Sequence, residues 1–182
     1  LFGLSANIKD IDPNFTLGER ARRKQEIIDK LIVDGIFEMN KMLELPDVPQ
    51  RIAIISSKSA AGYGDFMHQL LDNEYGYKFT AKLFQADMQG KEAAKSIVKA
   101  LYKINDRIDD YDIVAIIRGG GAQTDMDCFD DYDLASHVAQ FPIPILTGIG
   151  HERDESVIDL VAHEKLKTPT AVSAFLISRV YN

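Results

Sequence analysis

The chain lacks the features of several well-known structural classes. It has a single cysteine, Cys128, among 182 residues, so no disulfide framework can form within it, and a lone thiol suits a reducing compartment. One cysteine and four scattered histidines do not make a structural zinc site. No apolar run approaches the roughly 20 residues of a membrane-spanning helix, and the first residues do not follow the pattern of a signal peptide. We therefore expect a cytoplasmic protein without membrane attachment.

Common nucleotide-handling and hydrolase motifs are also missing. The chain has neither the G-x-x-x-x-G-K-[ST] phosphate loop nor the G-x-G-x-x-G dinucleotide turn. It has no G-x-S-x-G nucleophile motif, which points away from acyl hydrolysis. The net charge of −7 argues against broad adhesion to nucleic acid, although it does not exclude a local basic cleft.

What the chain does contain is an alternation of strand and helix patterns. Short apolar runs typical of buried strands alternate with stretches of helical spacing. This alternation predicts an α/β fold: a mainly parallel four-stranded sheet with helices on both faces, a Rossmann-like three-layer arrangement, plus flanking N- and C-terminal helices. The predicted strands are RIAIIS, KFTAKLF, DIVAII and PIPILTGI, and the predicted helices cover 62–73, 91–108, 132–140, 153–163 and 169–181.

The first 48 residues differ from the rest. LSANIKDI alternates like a half-buried strand, and its abrupt start suggests a fragment of a longer protein. Thr16 and Glu19 fit a capping box, which predicts a helix whose apolar stripe runs from Ile28 through Gly35 to Leu43. Its basic turn around Arg20–Lys24 is interpreted either as a solvated face or as a phosphate contact. We therefore divide the chain at 1–48 and 49–182, with ELPDVPQ as the linker.

The loop after the first predicted strand has the composition of an anion site. SSKSAAGYGDF offers the hydroxyl groups of Ser56 and Ser57 together with Lys58. It leads into a helix, whose first N–H groups bind anions readily. Asp65 lies in the first turn of that helix, where a carboxylate is also favoured by the helix dipole alone.

The loop after the third predicted strand reads IIRGGGA. Consecutive glycines let a backbone bend sharply or approach a ligand closely, and successive N–H groups in such a bend can bind an anion. Arg118 adds a planar fork of donors that matches phosphate oxygens. We interpret Arg118 with Gly119, Gly120 and Gly121 as a phosphate cradle, with a plain tight turn as the alternative. The acidic stretch TDMDCFDDYD follows and is either a Mg²⁺ ligand cluster or a solvated, helix-capping loop.

The loop after the fourth predicted strand supplies a histidine. If a helix begins at His151, then His151, Asp154 and Ile158 share one stripe that faces the sheet. The pair is then either a buried histidine with a dipole-favoured carboxylate or a general acid–base pair. Asp159 lies to the side of this stripe. Together the three loops carry the groups that phosphoryl chemistry needs.

Four segments give the chain a family resemblance. They are IAIISSKSAAGYGDFMHQLL, LFQADMQGKEAAKSIVKAL, IIRGGGAQTDMDCFDDYDLA and PILTGIGHERDESVIDLVAH with LKTPTAV. In this order they resemble the central nuclease domain of the exodeoxyribonuclease VII large subunit, from about Asp12 to the C-terminus. The resemblance implies a bacterial exonuclease that degrades single-stranded DNA to oligonucleotides from either end.

The resemblance also assigns roles to residues. By position it makes Asp65, Arg118, His151 and Asp154 catalytic. The candidate substrate-binding residues are Ser56, Ser57, Lys58, Gly119, Gly120, Gly121 and Thr168. Family members differ in metal dependence, so Mg²⁺ stays open as a cofactor, with Asp154, Asp159 and Asp125 as candidate ligands.

The resemblance further implies parts that these 182 residues do not contain. Members of the family carry an N-terminal oligonucleotide-binding barrel, for which LFGLSANIKDI would be the exit strand, and a C-terminal region that recruits small subunits. We therefore expect the chain alone to be weak or inactive as a nuclease. Three other interpretations remain open: a phosphate- or nucleotide-binding module without hydrolysis, a phosphate-handling transferase, and a scaffold with helical docking surfaces.

Overall fold

The computed structural model describes residues 13–119, 123–150 and 155–181. Helices and strands alternate through most of this range, and none of its helices is long and apolar enough to cross a membrane. The helices are α1 Pro13–Val33, α2 Ala61–Leu71, α3 Ala93–Asn105, α4 Tyr132–Ala139, α5 Val157–Val161 and α6 Pro169–Tyr181. The strands are β1 Arg51–Ser56, β2 Thr80–Gln85, β3 Ile113–Ile117, β4 Ile145–Gly148 and β5 Glu164–Lys165.

The strands form one sheet in the order β2-β1-β3-β4-β5, and every pairing is parallel. The predicted α/β class is confirmed, with one strand more than the predicted four. The extra strand, β5, has only two residues, both charged, which pair with Leu146 and Thr147 of β4. Such a strand carries no hydrophobic pattern, and for that reason the sequence does not predict it.

Helices cover both faces of the sheet, as predicted. Along β1, Ile52 and Ile54 pack towards α2 and α6, whereas Ala53 and Ile55 pack towards α3, α4 and α5. All five residues from Ile52 to Ser56 are therefore buried. Burial on both faces explains why this strand reads as a continuous apolar run and not as an alternation.

Helix α1 differs from its prediction at both ends. It begins at Pro13, so Thr16 lies within the helix and does not cap it. It ends at Val33 because Gly35 takes a left-handed φ of 72°. There the Gly35 N–H donates to Ile32 O and the Ile36 N–H to Leu31 O, the two bonds of a Schellman motif. The predicted stripe to Leu43 is therefore wrong beyond the glycine.

The helices α2, α3, α4 and α6 lie within three residues of their predicted bounds, but α5 is much shorter than 153–163.

The predicted exit strand at the N-terminus lies outside the described residues. The division of the chain at residue 48 stays a prediction. Leu31 of α1 is fully buried in the core beneath α3, α4 and α5.

Candidate functional site

A cleft opens where the strand order reverses. The chain passes from β1 outward to β2 and then returns across β1 to β3, so the loops after β1 and β3 separate at the carboxyl edge of the sheet. Ligands of open parallel sheets bind at such a point. The cleft has a volume of about 520 Å³ and is lined by Ser57, Ser59, Ala60, Ala61, Asp87, Met88, Gln89, Arg118 and Gly119.

Arg118 lies at the base of this cleft, directly after β3. Its side chain is only 4% exposed, and its Nη1 donates to Met126 Sδ at 3.4 Å. Its backbone N–H donates to Gly148 O at 3.1 Å, which ties the end of β3 to the end of β4. The structure therefore brings Arg118 to the predicted edge and holds its backbone firmly.

Gly119 is required for close packing. A β-carbon added there would lie 2.5 Å from the Cα of Gly62, in the first turn of α2. A β-carbon added at Gly62 would in turn meet Gly119 Cα at 2.7 Å and Pro169 Cγ at 2.8 Å. Gly119 thus lets α2 and α6 approach the end of β3. Gly120 and Gly121, the rest of the predicted phosphate cradle, lie outside the described residues.

Of the three residues predicted in the loop after β1 to bind substrate, Ser57 and Lys58 are accessible and Ser56 is buried. Ser56 is fully buried, and its hydroxyl donates to Ile117 O at 2.8 Å, so its prediction as a substrate contact is corrected to a link between β1 and β3. Ser57 lines the cleft, and its hydroxyl lies 3.0 Å from that of Ser59. Lys58 is exposed beside them, and its backbone N–H donates to Gln85 Oε1 at 2.8 Å.

Helix α2 points its N-terminus at the cleft. Ala60 is its N-cap residue, and an alanine side chain cannot accept a hydrogen bond from the first-turn N–H groups. An uncapped N-terminus of an eleven-residue helix favours a bound anion through its N–H groups and its dipole. Asp65 lies on the exposed side of the same helix and does not line the cleft. Its catalytic role stays a prediction.

His151 and Asp154 lie outside the described residues, whereas the start of α5 just after them is described. Ser156, the N-cap of α5, has an extended backbone with φ −75° and ψ 162°. The predicted helix therefore does not run unbroken through Ser156 into Ile158. The predicted roles of both residues now rest on the resemblance alone.

Asp159 has a structural environment that does not suit a metal ligand. It is 7% exposed. Its Oδ1 accepts from Thr147 Oγ1 at 2.7 Å, and its Oδ2 accepts from the Ser156 N–H at 3.0 Å and hydroxyl at 2.9 Å. This is a capping box that joins α5 to β4, and its S-x-x-D pattern is readable in the sequence.

The described acidic residues do not assemble a metal centre. Within 13–119, 123–150 and 155–181, no three His, Cys, Asp or Glu side chains are placed to hold an ion together. The other candidate ligands, the Asp125 side chain and Asp154, are not described. Because Asp159 already accepts three hydrogen bonds, we derive no catalytic step through a metal.

Several aspartates of the acidic stretch have structural partners, and the helix-capping interpretation is confirmed for Asp131. Asp131 caps α4 by accepting from the Leu134 N–H at 2.8 Å, and Asp127 pairs with Arg20 of α1 at 3.2 Å. Asp130 accepts from the Val157 N–H at 2.8 Å. Burial raises the pKa of Asp130, and that hydrogen bond offsets part of the rise.

Thr168 begins α6 as predicted. Its hydroxyl accepts from the Ala171 N–H at 3.1 Å, and Pro169 follows at the first helical position. The Thr168 side chain is exposed, whereas its carbonyl lies close to Gly148 at the end of β4. Its role in substrate binding stays a prediction.

Two cleft residues were missed by the reasoning from sequence. Asp87 and Gln89 follow β2 and line the cleft together with Arg118 and Ser57. The signal was present, because every loop after a parallel strand reaches the same edge of the sheet.

Comparison with known proteins points to one family. The family model described as "Exonuclease VII, large subunit" matches residues 36–181. The exodeoxyribonuclease 7 large subunit of Deinococcus radiodurans is 35% identical over the whole chain, which covers 44% of that protein. The protein of the same name from Nostoc sp. is 38% identical over 86% of the chain and 37% of its own length. The chain thus spans less than half the length of these relatives.

Proposed function

Because the chain belongs to the exonuclease VII large-subunit family, we propose that it is the part of an exodeoxyribonuclease that hydrolyses phosphodiester bonds of single-stranded DNA. The products are oligonucleotides, released from either end of the strand. The proposal extends to the longer protein of which this chain would form the nuclease domain, acting in the cytoplasm with small subunits as partners.

The observation that carries the proposal is the composition of the cleft. An arginine, two serine hydroxyl groups and the uncapped N-terminus of α2 surround the same volume of about 520 Å³. Each of these groups donates hydrogen bonds or favours negative charge. A phosphodiester is the anion of DNA that such a set of donors would accept.

The chemistry assigned to Arg118 follows from its position. Hydrolysis builds negative charge on the phosphoryl oxygens, and a pre-positioned guanidinium stabilises that charge without reorganising. Arg118 has little freedom to move, since the residue is only 4% exposed and its backbone is bonded to β4. The hydroxyls of Ser57 and Ser59 and the first-turn N–H groups of α2 would hold the non-reacting phosphate oxygens.

Proton transfer is assigned to His151, with Asp154 and Asp65 as supporting carboxylates. Attack by water on phosphorus releases one proton, and the departing sugar oxygen requires one. A histidine exchanges a proton near neutral pH and could accept the first or donate the second. Asp154 would orient the imidazole, a role that the family resemblance supports.

The test is cleavage of single-stranded DNA labelled at either end, using the full-length protein together with its small subunits. The variants are His151→Ala and Arg118→Met. The matched control is Arg107→Met, because Arg107 is an exposed arginine remote from the cleft that pairs with Asp110 at 2.7 Å. We expect a loss of about a hundredfold or more for the two site variants and unchanged cleavage for the control.

Each outcome has a distinct meaning. Undiminished cleavage by His151→Ala would contradict the proton-transfer role. DNA binding without cleavage in the unmodified protein would instead support a binding module. A parallel reaction with a chelator asks whether a metal ion contributes to the activity.

A further inference from the structure

A second concave surface lies at the opposite end of the domain from the cleft. Pro169, the first residue of α6, contacts Gly62 beside the cleft, so the last residue, Tyr181, lies about 20 Å away along a thirteen-residue helix. There the ends of α2 and α6 enclose a groove of about 510 Å³. We refer to it as the tyrosine groove, formed by Tyr75, Tyr181, Asp72, Glu74 and Ile177.

Aromatic rings make up one wall of the tyrosine groove. Tyr75 stacks on Tyr77 with ring centroids 5.5 Å apart and an angle of 17° between the ring planes. The Tyr181 ring also packs against Tyr75, with ring centroids 5.3 Å apart and an angle of 43° between the ring planes. Tyr75 is 49% exposed and Tyr181 65% exposed, while Tyr77 packs against the core and anchors the pair. About half of Tyr75 and most of Tyr181 are therefore accessible to a ligand.

The loop that carries Tyr75 is held in shape by Asn73. The Asn73 amide donates to Leu70 O at 2.9 Å and Tyr77 O at 2.8 Å, and its carbonyl accepts from the Tyr77 N–H at 2.9 Å. Gly76 closes the turn with a left-handed φ of 68°. A ligand would meet rings that are already positioned, so little ordering cost opposes binding.

The charged side chains that line the tyrosine groove are acidic. Asp72 and Glu74 line it, and the lining contains no lysine or arginine among the residues that the structure describes. Among the described lining residues, His68 is the one further titratable group besides the tyrosines, and its Nδ1 lies 2.8 Å from Asp72 Oδ2. The charge of Glu74 is the main cause that raises the pKa of Tyr75, as expected for a ring in a negative potential.

We propose that the tyrosine groove binds a segment of a partner protein that presents an arginine side chain. A guanidinium stacks on tyrosine faces by cation–π attraction and would be drawn in by the two carboxylates. Its methylene groups would pack on Ile177 and Ala174. A nucleic acid strand could also stack on the rings, but its phosphates would be repelled by Asp72 and Glu74. This surface is independent of the nuclease assignment.

The experiment uses the full-length protein and a fluorescein-labelled, blocked peptide of sequence Ala-Leu-Arg-Leu-Ala, followed by fluorescence anisotropy. The control peptide carries citrulline, a neutral isostere, in place of arginine. We expect the arginine peptide to bind at least about tenfold more tightly, because citrulline removes both the cation–π and the Coulomb attraction. Binding should weaken as salt is raised.

Variants locate the binding on the protein. Tyr75→Leu and Tyr181→Leu should each weaken binding of the arginine peptide by about fivefold, and Glu74→Gln should reduce its salt dependence. Tyr102→Leu is the matched control, because Tyr102 is 57% exposed and lies elsewhere, against His137. All four positions are exposed, so each variant should keep the thermal unfolding temperature of the parent.

Three results would overturn the proposal. The first is equal binding, or equal lack of binding up to millimolar concentration, of the arginine and citrulline peptides. The second is binding of a labelled thymidine oligonucleotide that is lost in Tyr75→Leu, which would make the surface a nucleic-acid contact. The third is self-association in sedimentation experiments that Tyr75→Leu abolishes, which would make it an interface between copies of the chain.

Discussion

Among individual residues, Gly119 and Gly62 show most directly why the end of β3 is built of small residues. Each lies so close to the other that a β-carbon at either position would come within 2.7 Å of a backbone atom of its partner. Neither has a left-handed φ, unlike Gly35, Gly76 and Gly90. Both positions need glycine because α2 packs so closely against the strand end that also carries Arg118 that no room is left for a β-carbon.

Replacing Gly119 with alanine should therefore lower the free energy of unfolding by about 2 kcal/mol, the cost typical of an overpacked core. The comparison is Gly64→Ala in the same helix α2, where an added β-carbon meets nothing within 4 Å. That change should raise the free energy of unfolding by about 0.5–1 kcal/mol, since alanine is the better helix former. Urea denaturation measures both, and equal effects of the two substitutions would refute the packing argument.

Asp112 lies just before β3, at the edge of the sheet opposite the cleft, and contributes to the free energy of unfolding in a pH-dependent way. Burial raises the pKa of Asp112, but hydrogen bonds from the Arg51 side chain and from the Arg51 and Gln50 N–H groups outweigh burial and lower that pKa below its usual value. A lowered pKa stabilises the fold above the unfolded-state pKa, and this stability is lost as the pH falls through the folded-state pKa. Asp112→Asn should cost about 2 kcal/mol at pH 7.

The decisive measurement for Asp112 is the free energy of unfolding of both proteins across the acidic range. The difference between parent and Asp112→Asn should shrink as the pH falls below about 4, because the parent carboxylate is then protonated in the unfolded chain. A difference that stays constant down to pH 2.5 would show that the carboxylate charge contributes nothing.

Single residues also show how far the sequence predicts the site. Arg118 follows an unmistakable buried strand, and so its place at the sheet edge could be predicted. Ser56 could not be placed correctly, because whether the last residue of a strand points into the core or out to the cleft depends on where the pairing with β3 ends. Asp159 was placed beside a helical stripe, but its true role follows from a helix start at Ser156.

At the scale of elements, Asn40 attaches the segment between α1 and β1 to the start of β4. Asn40 is fully buried. Its amide donates to Phe141 O at 3.1 Å and Ile143 O at 3.0 Å, and its carbonyl accepts from the Ile145 N–H at 2.9 Å. These three bonds fix the start of β4 and satisfy backbone groups that the turn at 141–144 would otherwise leave buried without partners.

Asn40→Ala should consequently lower the free energy of unfolding by about 3 kcal/mol, since it leaves several buried backbone groups unsatisfied. Asn105→Ala is a suitable comparison, because Asn105 is exposed at the end of α3 and should change stability by less than about 0.5 kcal/mol. Hydrogen exchange at the Ile145 amide provides a local measurement. Unchanged protection of that amide in Asn40→Ala would contradict the assignment.

Elements differ in how well the sequence predicts them, and the reason is their length. The strands β1 and β3 and the helices α2, α3 and α6 bury enough apolar side chains to show their period. Helix α5 has five residues and β5 has two, too few for any period to appear, so tertiary contacts decide them. In α1, Pro13 at the start and Gly35 after the end mark the true bounds of the helix. The capping-box pattern at Thr16 does not mark a helix start, because Thr16 lies within the helix.

For the whole molecule, charge and length limit what the chain can do by itself. Its net charge of −7 is spread over 182 residues, and the cleft that Arg118 lines is also lined by the acidic Asp87. Affinity for single-stranded DNA depends mainly on positive charge along the backbone and on aromatic stacking platforms. The described cleft offers little of either, although its relatives are more than twice as long as the chain.

We therefore expect the isolated chain to bind a labelled twenty-nucleotide thymidine strand at least about a hundredfold more weakly than the full-length protein at 150 mM salt. Cleavage by the isolated chain should be correspondingly slow. Circular dichroism must first establish that the chain is folded, so that weak binding is not mistaken for unfolding. Repeating the anisotropy titration at 50 mM salt gives the dependence of affinity on salt. A steep dependence in the full-length protein and a shallow one in the chain would place the phosphate-neutralising residues outside these 182 residues, whereas equal affinities and slopes would place them within the chain.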